Sequence, residues 1–118
     1  MKLTNSEIFE SIMVLRNVHE EGKLGYSCAR NLRKLSEEAK EFFEIREKLL
    51  QKYGTLGEND NYMIEKDKID SYNKELSEFS EIEIDVDVHQ VDEDVFCSGK
   101  LDTQQMYTLD WIVKRDES

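Results

Sequence analysis

Proline is absent from this 118-residue sequence, and cysteine occurs only twice. Cys28 and Cys97 lie far apart and in no spacing typical of a metal or redox site, so we expect free thiols and a reducing compartment; one disulfide between them is the less favoured alternative. The sequence has no apolar run near the roughly 18 residues that a membrane-spanning helix needs. It also has no apolar signal-peptide stretch at its start. These absences predict a cytoplasmic protein that makes no contact with a membrane.

Positive charge is also scarce, because 16 Lys and Arg oppose 27 Asp and Glu and the formal net charge is −11. Phosphate backbones and anionic membranes repel such a chain, so we expect no direct binding to nucleic acid. A partner with a basic surface is favoured, since complementary charge speeds encounter and selects partners. The length predicts a single domain over residues 1–118.

The N-terminal half has the periodicity of helices. Thr4 and Glu7 fit a capping box, and apolar residues at helical spacing follow until the expected helix end between Glu21 and Gly22. A heptad-like apolar stripe then runs from residue 26 to 53, broken only at Arg46; its members are Cys28, Leu32, Leu35, Ala39, Phe42, Leu49 and Tyr53. We predict a helical hairpin over residues 1–54.

A second arrangement of the same stripe is an intermolecular coiled coil, which would give a homo-oligomer through the 26–53 helix. The second helix is longer than the first by about 15 Å, at roughly 1.5 Å per residue. Either the C-terminal half or a second subunit therefore has to cover its far end, which carries Phe42, Phe43, Leu49 and Leu50.

The C-terminal half, residues 62–113, predicts a helix–strand–helix subregion. A third helix runs from Asp67 to Phe79, and a last helix runs from Leu101 to Val113 with Asp102 or Thr103 as its cap. The end of the chain, residues 114–118, is expected to fray.

The clearest strand pattern lies between residues 81 and 91, where Ile and Val alternate with Asp and Glu. A single strand is not stable alone, so we expect it to pair with a short strand at residues 62–64 or with an edge on a partner. The predicted fold class is therefore α+β and mostly helical, with a long N-terminal helical hairpin, a third helix, a small β element and a C-terminal helix.

Several short motifs occur in order along nearly the whole chain. They are Met1–Glu7, Lys52–Gly54, the turn at 57–64 that ends Asn61-Tyr62-Met63-Ile64, the acidic strand Ile82–Val88, and Leu101-Asp102 with Leu109-Asp110-Trp111-Ile112. In this order they resemble a family of small proteins of unknown function from bacteriophages and prophages of Gram-positive bacteria. The resemblance implies a phage origin and a role in the cytoplasm of the infected host. It implies no catalytic residues.

The sequence offers few candidate metal-ligating or catalytic residues. Asp85, Asp87 and His89 share one face of the predicted strand, but same-face side chains are roughly 6.6–6.8 Å apart, and no recognisable further metal ligand accompanies them. The sequence contains no Gly-rich phosphate loop, nucleophile elbow or zinc-peptidase motif, and Cys28 lies on the apolar stripe. We predict a non-enzyme with no catalytic residue, metal or cofactor; a metal-dependent enzyme is the least favoured alternative.

Acidic residues are most concentrated between residues 81 and 102, where eight acids accompany one base. The candidate protein-binding acids are Glu81, Glu83, Asp85, Asp87, Asp92, Glu93 and Asp94. The candidate aromatic anchors are Tyr62, Phe96, Tyr107 and Trp111, because exposed aromatic residues tend to be hot spots. A regular row of carboxylates imitates a phosphate backbone, although acidic faces also serve solubility alone.

These features predict a phage-encoded acidic protein that binds a host protein with a basic surface and inhibits or redirects it. A nucleic-acid-processing enzyme or an antiviral defence factor is the expected kind of host protein. The alternative from another class is a structural or assembly accessory of the virion that acts as an oligomer.

Overall fold

The computed structural model describes residues 1–59 and 61–115, and it confirms a mostly helical α+β fold. The elements in chain order are β1 (Lys2–Thr4), α1 (Asn5–Leu15), α2 (Gly22–Glu38), α3 (Lys40–Tyr53), β2 (Gly54–Leu56), β3 (Tyr62–Ile64), α4 (Lys66–Ser80), β4 (Glu83–Asp85), α5 (Glu93–Cys97), α6 (Thr103–Thr108) and a 3₁₀ turn (Asp110–Ile112). Residues 116–118, the end of the tail that we expected to fray, lie outside the described residues. None of the helices in the described ranges combines the length and the apolar character that crossing a membrane requires.

The first helix begins where the capping box predicts. Thr4 Oγ1 accepts a hydrogen bond from the Glu7 N–H at 3.1 Å, and Glu7 Oε1 accepts one from the Thr4 N–H at 2.9 Å. The predicted end near Glu21 is wrong, because α1 stops at Leu15. Gly22 instead opens α2, with a φ of +64° that favours glycine.

The predicted helix over residues 26–53 is divided at Ala39 into α2 and α3. The division is local, since the Ala39 N–H bonds to the Leu35 carbonyl at 2.8 Å and the Ala39 carbonyl accepts from the Phe43 N–H at 2.9 Å. The apolar stripe is confirmed as the inner face: Cys28, Leu35, Ala39, Phe42 and Leu49 are buried, and Leu32 and Tyr53 are half-buried.

Arg46 is the one stripe position without an apolar residue, and it contacts an aromatic ring. Its guanidinium carbon lies 4.7 Å from the centroid of the Phe9 ring, a cation–π contact between α3 and α1. Because the aliphatic part of an arginine also packs against apolar surface, Arg46 completes the face that it interrupts in the sequence.

The C-terminal half of the same chain covers the far end of α3. Helix α4 packs along α3 and buries Tyr72 there. Glu75 Oε1 accepts hydrogen bonds from Lys52 Nζ at 2.8 Å and from Tyr53 Oη at 2.5 Å. The bond from Lys52, followed by that from Tyr53, holds the pKa of Glu75 below its usual value.

Both predicted strands form, but the predicted pairing between them is wrong. Strand β3 pairs antiparallel with β2 in a hairpin, while β4 pairs antiparallel with β1. The β1–β4 register places Leu3 opposite Ile84, so that Leu3 enters the main core. The acidic strand is also shorter than residues 81–91, because β1 offers only three residues to pair with. Glu81 stays in a helical conformation at the end of α4.

Beyond β4, buried polar side chains of α2 hold the chain. Asn31 Oδ1 accepts from the His89 N–H at 2.7 Å, and Asn31 Nδ2 donates to the His89 carbonyl at 2.8 Å. Ser27 Oγ donates to the same carbonyl at 2.9 Å. Since Asn31 and Ser27 are fully buried, these bonds give their polar side chains the partners that they need, and they hold the backbone of the half-buried His89. We call this set of contacts the Asn31 clamp.

The main apolar core joins α1, α2, the segment 86–96 and the C-terminal turn; its most buried members are Ile8, Ile12, Leu35, Leu109 and Ile112. Phe42 and Leu49 of α3 and Tyr72 of α4 are buried outside this core. The molecule measures 47 × 32 × 23 Å, which reflects the extension of α3 and α4 past the main core.

The Asn31 clamp predicts that Asn31→Ala lowers the free energy of unfolding by about 1–3 kcal/mol, because the substitution leaves the half-buried His89 N–H without its acceptor. Urea-induced unfolding followed by circular dichroism measures this loss. Asn17→Ala is the matched control, since Asn17 is exposed and donates only to the Met13 carbonyl at 3.2 Å. Equal losses in the two variants would contradict the clamp.

A substitution of Gly25 by alanine is expected to destabilise the protein, although the same change in most helices stabilises it. Replacing glycine by alanine within a helix ordinarily stabilises a protein by roughly 0.5–1 kcal/mol. A Cβ on Gly25, however, would lie 2.3 Å from the Glu20 carbonyl oxygen, and the Glu20 side chain is itself tied to the Lys100 N–H. We expect Gly25→Ala to lower stability by about 1–3 kcal/mol through this overlap. The Tm of the variant, measured by thermal unfolding, tests this expectation. A raised Tm would contradict the overlap between the added Cβ and the Glu20 carbonyl oxygen.

Candidate functional site

The acids of β4 lie on the outer face of its sheet, as the two-residue period predicts. Glu83 and Asp85 are exposed, whereas Ile84 between them is half-buried. Asp87 follows the strand and is also exposed. Lys2 is the cross-strand partner of Asp85, and the Met1 amino group lies 3.1 Å from Asp85 Oδ1. The charge of Asp85 is therefore partly offset by its neighbours.

A cleft of about 540 Å³ opens between α1 and the C-terminal elements. Glu7 and Glu10 of α1 line one side. Tyr107, Asp110 and Trp111 line the other side. The cleft therefore combines carboxylates with aromatic rings.

The two aromatic residues of the cleft differ in their hydrogen bonds and in their exposure. Trp111 is held at both ends, because its Nε1–H donates to Ser11 Oγ at 3.0 Å and its carbonyl accepts from Gln90 Nε2 at 2.9 Å. Tyr107 is 82% exposed. The cleft thus presents one fixed indole and one phenol open to solvent.

The β4 acids and the cleft adjoin one another. Met1 lines the cleft and also a smaller groove beside Asp85 and Asp87. Gln90 lines that groove and bonds to Trp111. The two parts form one region, which we call the acidic–aromatic surface; it consists of Glu7, Glu10, Glu83, Asp85, Asp87, Tyr107 and Trp111.

Asp110 has a partner of its own at the edge of the cleft. Its carboxylate receives two hydrogen bonds from the Arg115 guanidinium, at 2.6 and 2.8 Å. These bonds hold the pKa of Asp110 below its usual value. Asp110 therefore stays ionised, but Arg115 offsets its charge.

Other predicted acids lie elsewhere. Asp92 is the N-cap residue of α5, and Glu93 and Asp94 follow in its first turn. Carboxylates stabilise this end of a helix, so local structure accounts for these three exposed acids. Glu81 is exposed at the end of α4, outside the β4 ladder.

Two predicted aromatic anchors do not reach the cleft. Phe96 is 5% exposed and belongs to the main core, so the expectation of an exposed ring at Phe96 is wrong. It faces inward because α5 is a single turn packed on α2. Tyr62 is half-buried in the β2–β3 hairpin, which packs on α3.

Two residues of the surface were missed by sequence reasoning. Glu7 and Glu10 lie three positions apart on the polar face of α1, and both are exposed. The sequence does contain that pattern. It contains no sign that α1 lies beside Tyr107 and Trp111, a hundred positions away.

The structure also corrects the candidate metal group. Asp87 is exposed, but the backbone of His89 is held in the Asn31 clamp and its Nδ1 atom is buried. The expectation that Asp85, Asp87 and His89 share one strand face is therefore wrong, since β4 ends at Asp85. Over residues 1–59 and 61–115, no three His, Cys, Asp or Glu side chains are grouped to hold a metal ion.

Comparisons with known proteins give no assignment. No model of a protein family, no curated protein and no solved structure matches this chain. The function has to be inferred from the residues of the acidic–aromatic surface themselves.

The two thiols differ in environment, and this difference predicts their reactivity. Burial, followed by the nearby charge of Glu20, raises the pKa of Cys28 to about 11, whereas Cys97 is exposed. Because the thiolate is the nucleophile, we expect an aromatic disulfide reagent at pH 8 to modify one thiol rapidly in the folded protein and two after unfolding in urea. Cys97→Ser should abolish the rapid reaction. Rapid modification of both thiols in the folded protein would contradict the burial of Cys28.

Proposed function

We propose that this chain is a phage-encoded, non-enzymatic protein that binds a host protein with a basic surface and inhibits or redirects it. The observation that carries the proposal is the acidic–aromatic surface, in which exposed acids adjoin an aromatic cleft. The phage origin and the host cytoplasm as its place of action rest on the resemblance of its ordered motifs. A nucleic-acid-processing or defence factor suits the proposal, since proteins that bind phosphate backbones carry basic grooves.

The charge supports the choice of partner. Glu83 and Asp87 are exposed and lie on either side of Asp85, and Glu7 and Glu10 extend the negative region across the cleft. On a chain of formal charge −11, such a region accelerates the approach of a basic protein and repels acidic competitors. Exposed charges are screened beyond about 8–10 Å at physiological salt, so binding is expected to weaken as salt rises.

The aromatic residues support a defined contact within that region. Guanidinium and ammonium groups are attracted to aromatic faces, and carboxylates bind the same groups. A cleft that offers Trp111 and Tyr107 beside Glu7 and Glu10 therefore suits an arginine or lysine side chain of the partner. Since Trp111 is already held by Ser11 and Gln90, little ordering is needed there on binding.

A binding role fits the surface better than catalysis does. General acid–base work requires a carboxyl group with a shifted pKa in a protected site, but the acids of this surface are exposed. Cys28 is buried and protonated at neutral pH, so it is no nucleophile. An exposed, regular set of carboxylates suits the imitation of a phosphate backbone.

The test compares two triple variants in affinity capture from a lysate of a Gram-positive host. Glu83→Gln, Asp85→Asn and Asp87→Asn together should reduce capture of the specific partner at least about tenfold, because they remove the steering charge. The matched control is Glu58→Gln, Glu65→Gln and Asp70→Asn, which removes three exposed acids elsewhere and should leave capture unchanged. Circular dichroism of each variant checks that it is folded.

Salt provides a second readout in the same experiment. Capture by the wild-type protein should fall as the salt concentration rises, because the Debye length shortens from about 10 Å at 0.1 M to about 3 Å at 1 M. If the first triple variant captures the same protein as well as the wild type does, the acids serve solubility alone and the proposed function is wrong.

A further inference from the structure

A second surface lies along α2 and α3 and shares no residue with the acidic–aromatic surface. It is a groove of about 880 Å³ with the half-buried ring of Phe43 in its floor. Five exposed residues of alternating charge follow one another along it at steps of four or three positions; they are Arg33, Glu37, Lys40, Glu44 and Lys48. This pattern is that of one helical face.

Among the described residues, the charges along the groove form no ion pair within 4.0 Å. In the described ranges, the ion pairs within 4.0 Å involve Asp85, Glu75 and Asp110, none of which lines the groove. The groove is also locally balanced, with Arg16, Arg33, Lys40 and Lys48 beside Glu37, Glu44 and Glu47. This balance differs from the whole chain, in which 27 acids oppose 16 bases.

An alternating set of charges restricts the kind of partner. A uniformly basic or uniformly acidic partner would face like charges at every second position. A partner with the same alternating pattern, laid in the opposite direction and shifted by one charge, would face opposite charges at four of the five positions. The chain itself is such a partner.

We propose that a second copy of this chain binds in the groove, antiparallel and related by a twofold axis near residue 42. Lys40 and Glu44 lie two positions on either side of residue 42, so each faces the other across the axis. Glu37 lies five positions from residue 42 on one side, and Glu47 and Lys48 lie five and six positions from it on the other side. Glu37 therefore pairs with Lys48, with Glu47 of the second copy beside it. Because a twofold interface repeats every contact, four ion pairs form.

Phe43 provides the apolar centre of this interface. It lies one position from the proposed axis, so the two copies of its ring approach each other there. The Phe43 ring is half-buried, and its centroid lies 5.5 Å from that of the Phe9 ring beneath it. One side of the ring therefore packs on α1, and the other side is open to the groove. Burial of this ring adds an apolar contact to the ion pairs around it.

The interface is small, and its strength follows from its size. The lining from Arg33 to Gln51 is about 27 Å long at roughly 1.5 Å per residue. An interface of that length and one helix in width falls below the roughly 1,200 Å² of stable complexes. The dimer is therefore weak, dependent on concentration and sensitive to salt.

This dimer differs from the coiled coil that the apolar stripe predicts through residues 26–53. The chain buries that stripe against its own α1 and α4. The groove uses another face of the same two helices, and its contacts are mainly between charges. The inference therefore stands apart from the stripe and from the proposed host-protein binding.

Charge reversal gives the test. Lys40→Glu and Glu44→Lys each place like charges together at two positions of the dimer, so each variant alone should dimerise at least about tenfold more weakly than the wild type. An equimolar mixture of the two variants restores opposite charges at both positions and should associate again. Sedimentation equilibrium over a dilution series of the full chain, at low salt, measures each case.

The double variant Lys40→Glu, Glu44→Lys should also dimerise like the wild type, because both charges are exchanged. Lys74→Glu is the matched control; it reverses one exposed lysine on α4 and should leave the dimer unchanged. Circular dichroism confirms folding. If a reversal unfolds the chain, Lys40→Gln and Glu44→Gln replace it. Each of these variants alone loses both ion pairs, and their mixture should recover part of the association, because one of the two pairs is restored.

Three results would overturn the inference. A wild type that is monomeric at every concentration would leave the groove to an occupant other than a second copy. Single reversals that both dimerise as well as the wild type would place the dimer on another face. A mixture that fails to associate while the wild type dimerises would exclude the antiparallel register. None of these variants alters the acidic–aromatic surface, so the outcome is separate from that of host-protein capture.

Discussion

The Asn31 clamp positions the part of the chain on which the acidic–aromatic surface depends. The β1–β4 ladder is only three residues long and ends at Asp85. The following segment carries Asp87, brings Gln90 to the Trp111 carbonyl, and reaches Val91, whose N–H bonds to the Ile112 carbonyl at 2.9 Å. Asn31 fixes the middle of this segment through both backbone groups of His89. A single buried amide therefore couples α2 to the two halves of the surface.

Local patterns in the sequence predicted the local structure well. The capping box placed the start of α1, and the apolar stripe gave the inner face of α2 and α3, because both signals lie within a few turns of one helix. Strand pairing was not predictable in the same way. Strand β1 has only three residues, too few for a period to be visible, and its partner lies about eighty positions away. The Asn31 clamp was hidden for the same reason, since it joins residues 58 positions apart.

The residues of the candidate site were likewise predictable only where the sequence signal was local. The two-residue period placed Glu83 and Asp85 outside and Ile84 inside, as the structure has them. The period could not show that Phe96 is buried, because one helical turn has no preferred face until it packs. The net charge gave equally little information about single surfaces. The value of −11 indicates a basic partner, but it conceals the balanced groove along α2 and α3, which a sum over the chain averages away.

The shallow burial of α4 has a consequence for how the molecule opens. Tyr72 is the one residue of α4 that is buried, so this helix is held by little apolar area. Its C-terminal end is fixed more firmly, because Asn5 Nδ2 donates to the Phe79 carbonyl at 2.9 Å. Local unfolding follows weak packing, so we expect the start of α4 and the β2–β3 hairpin to open before the main core does. Such an opening exposes the rings beneath α4 and leaves the acidic–aromatic surface intact.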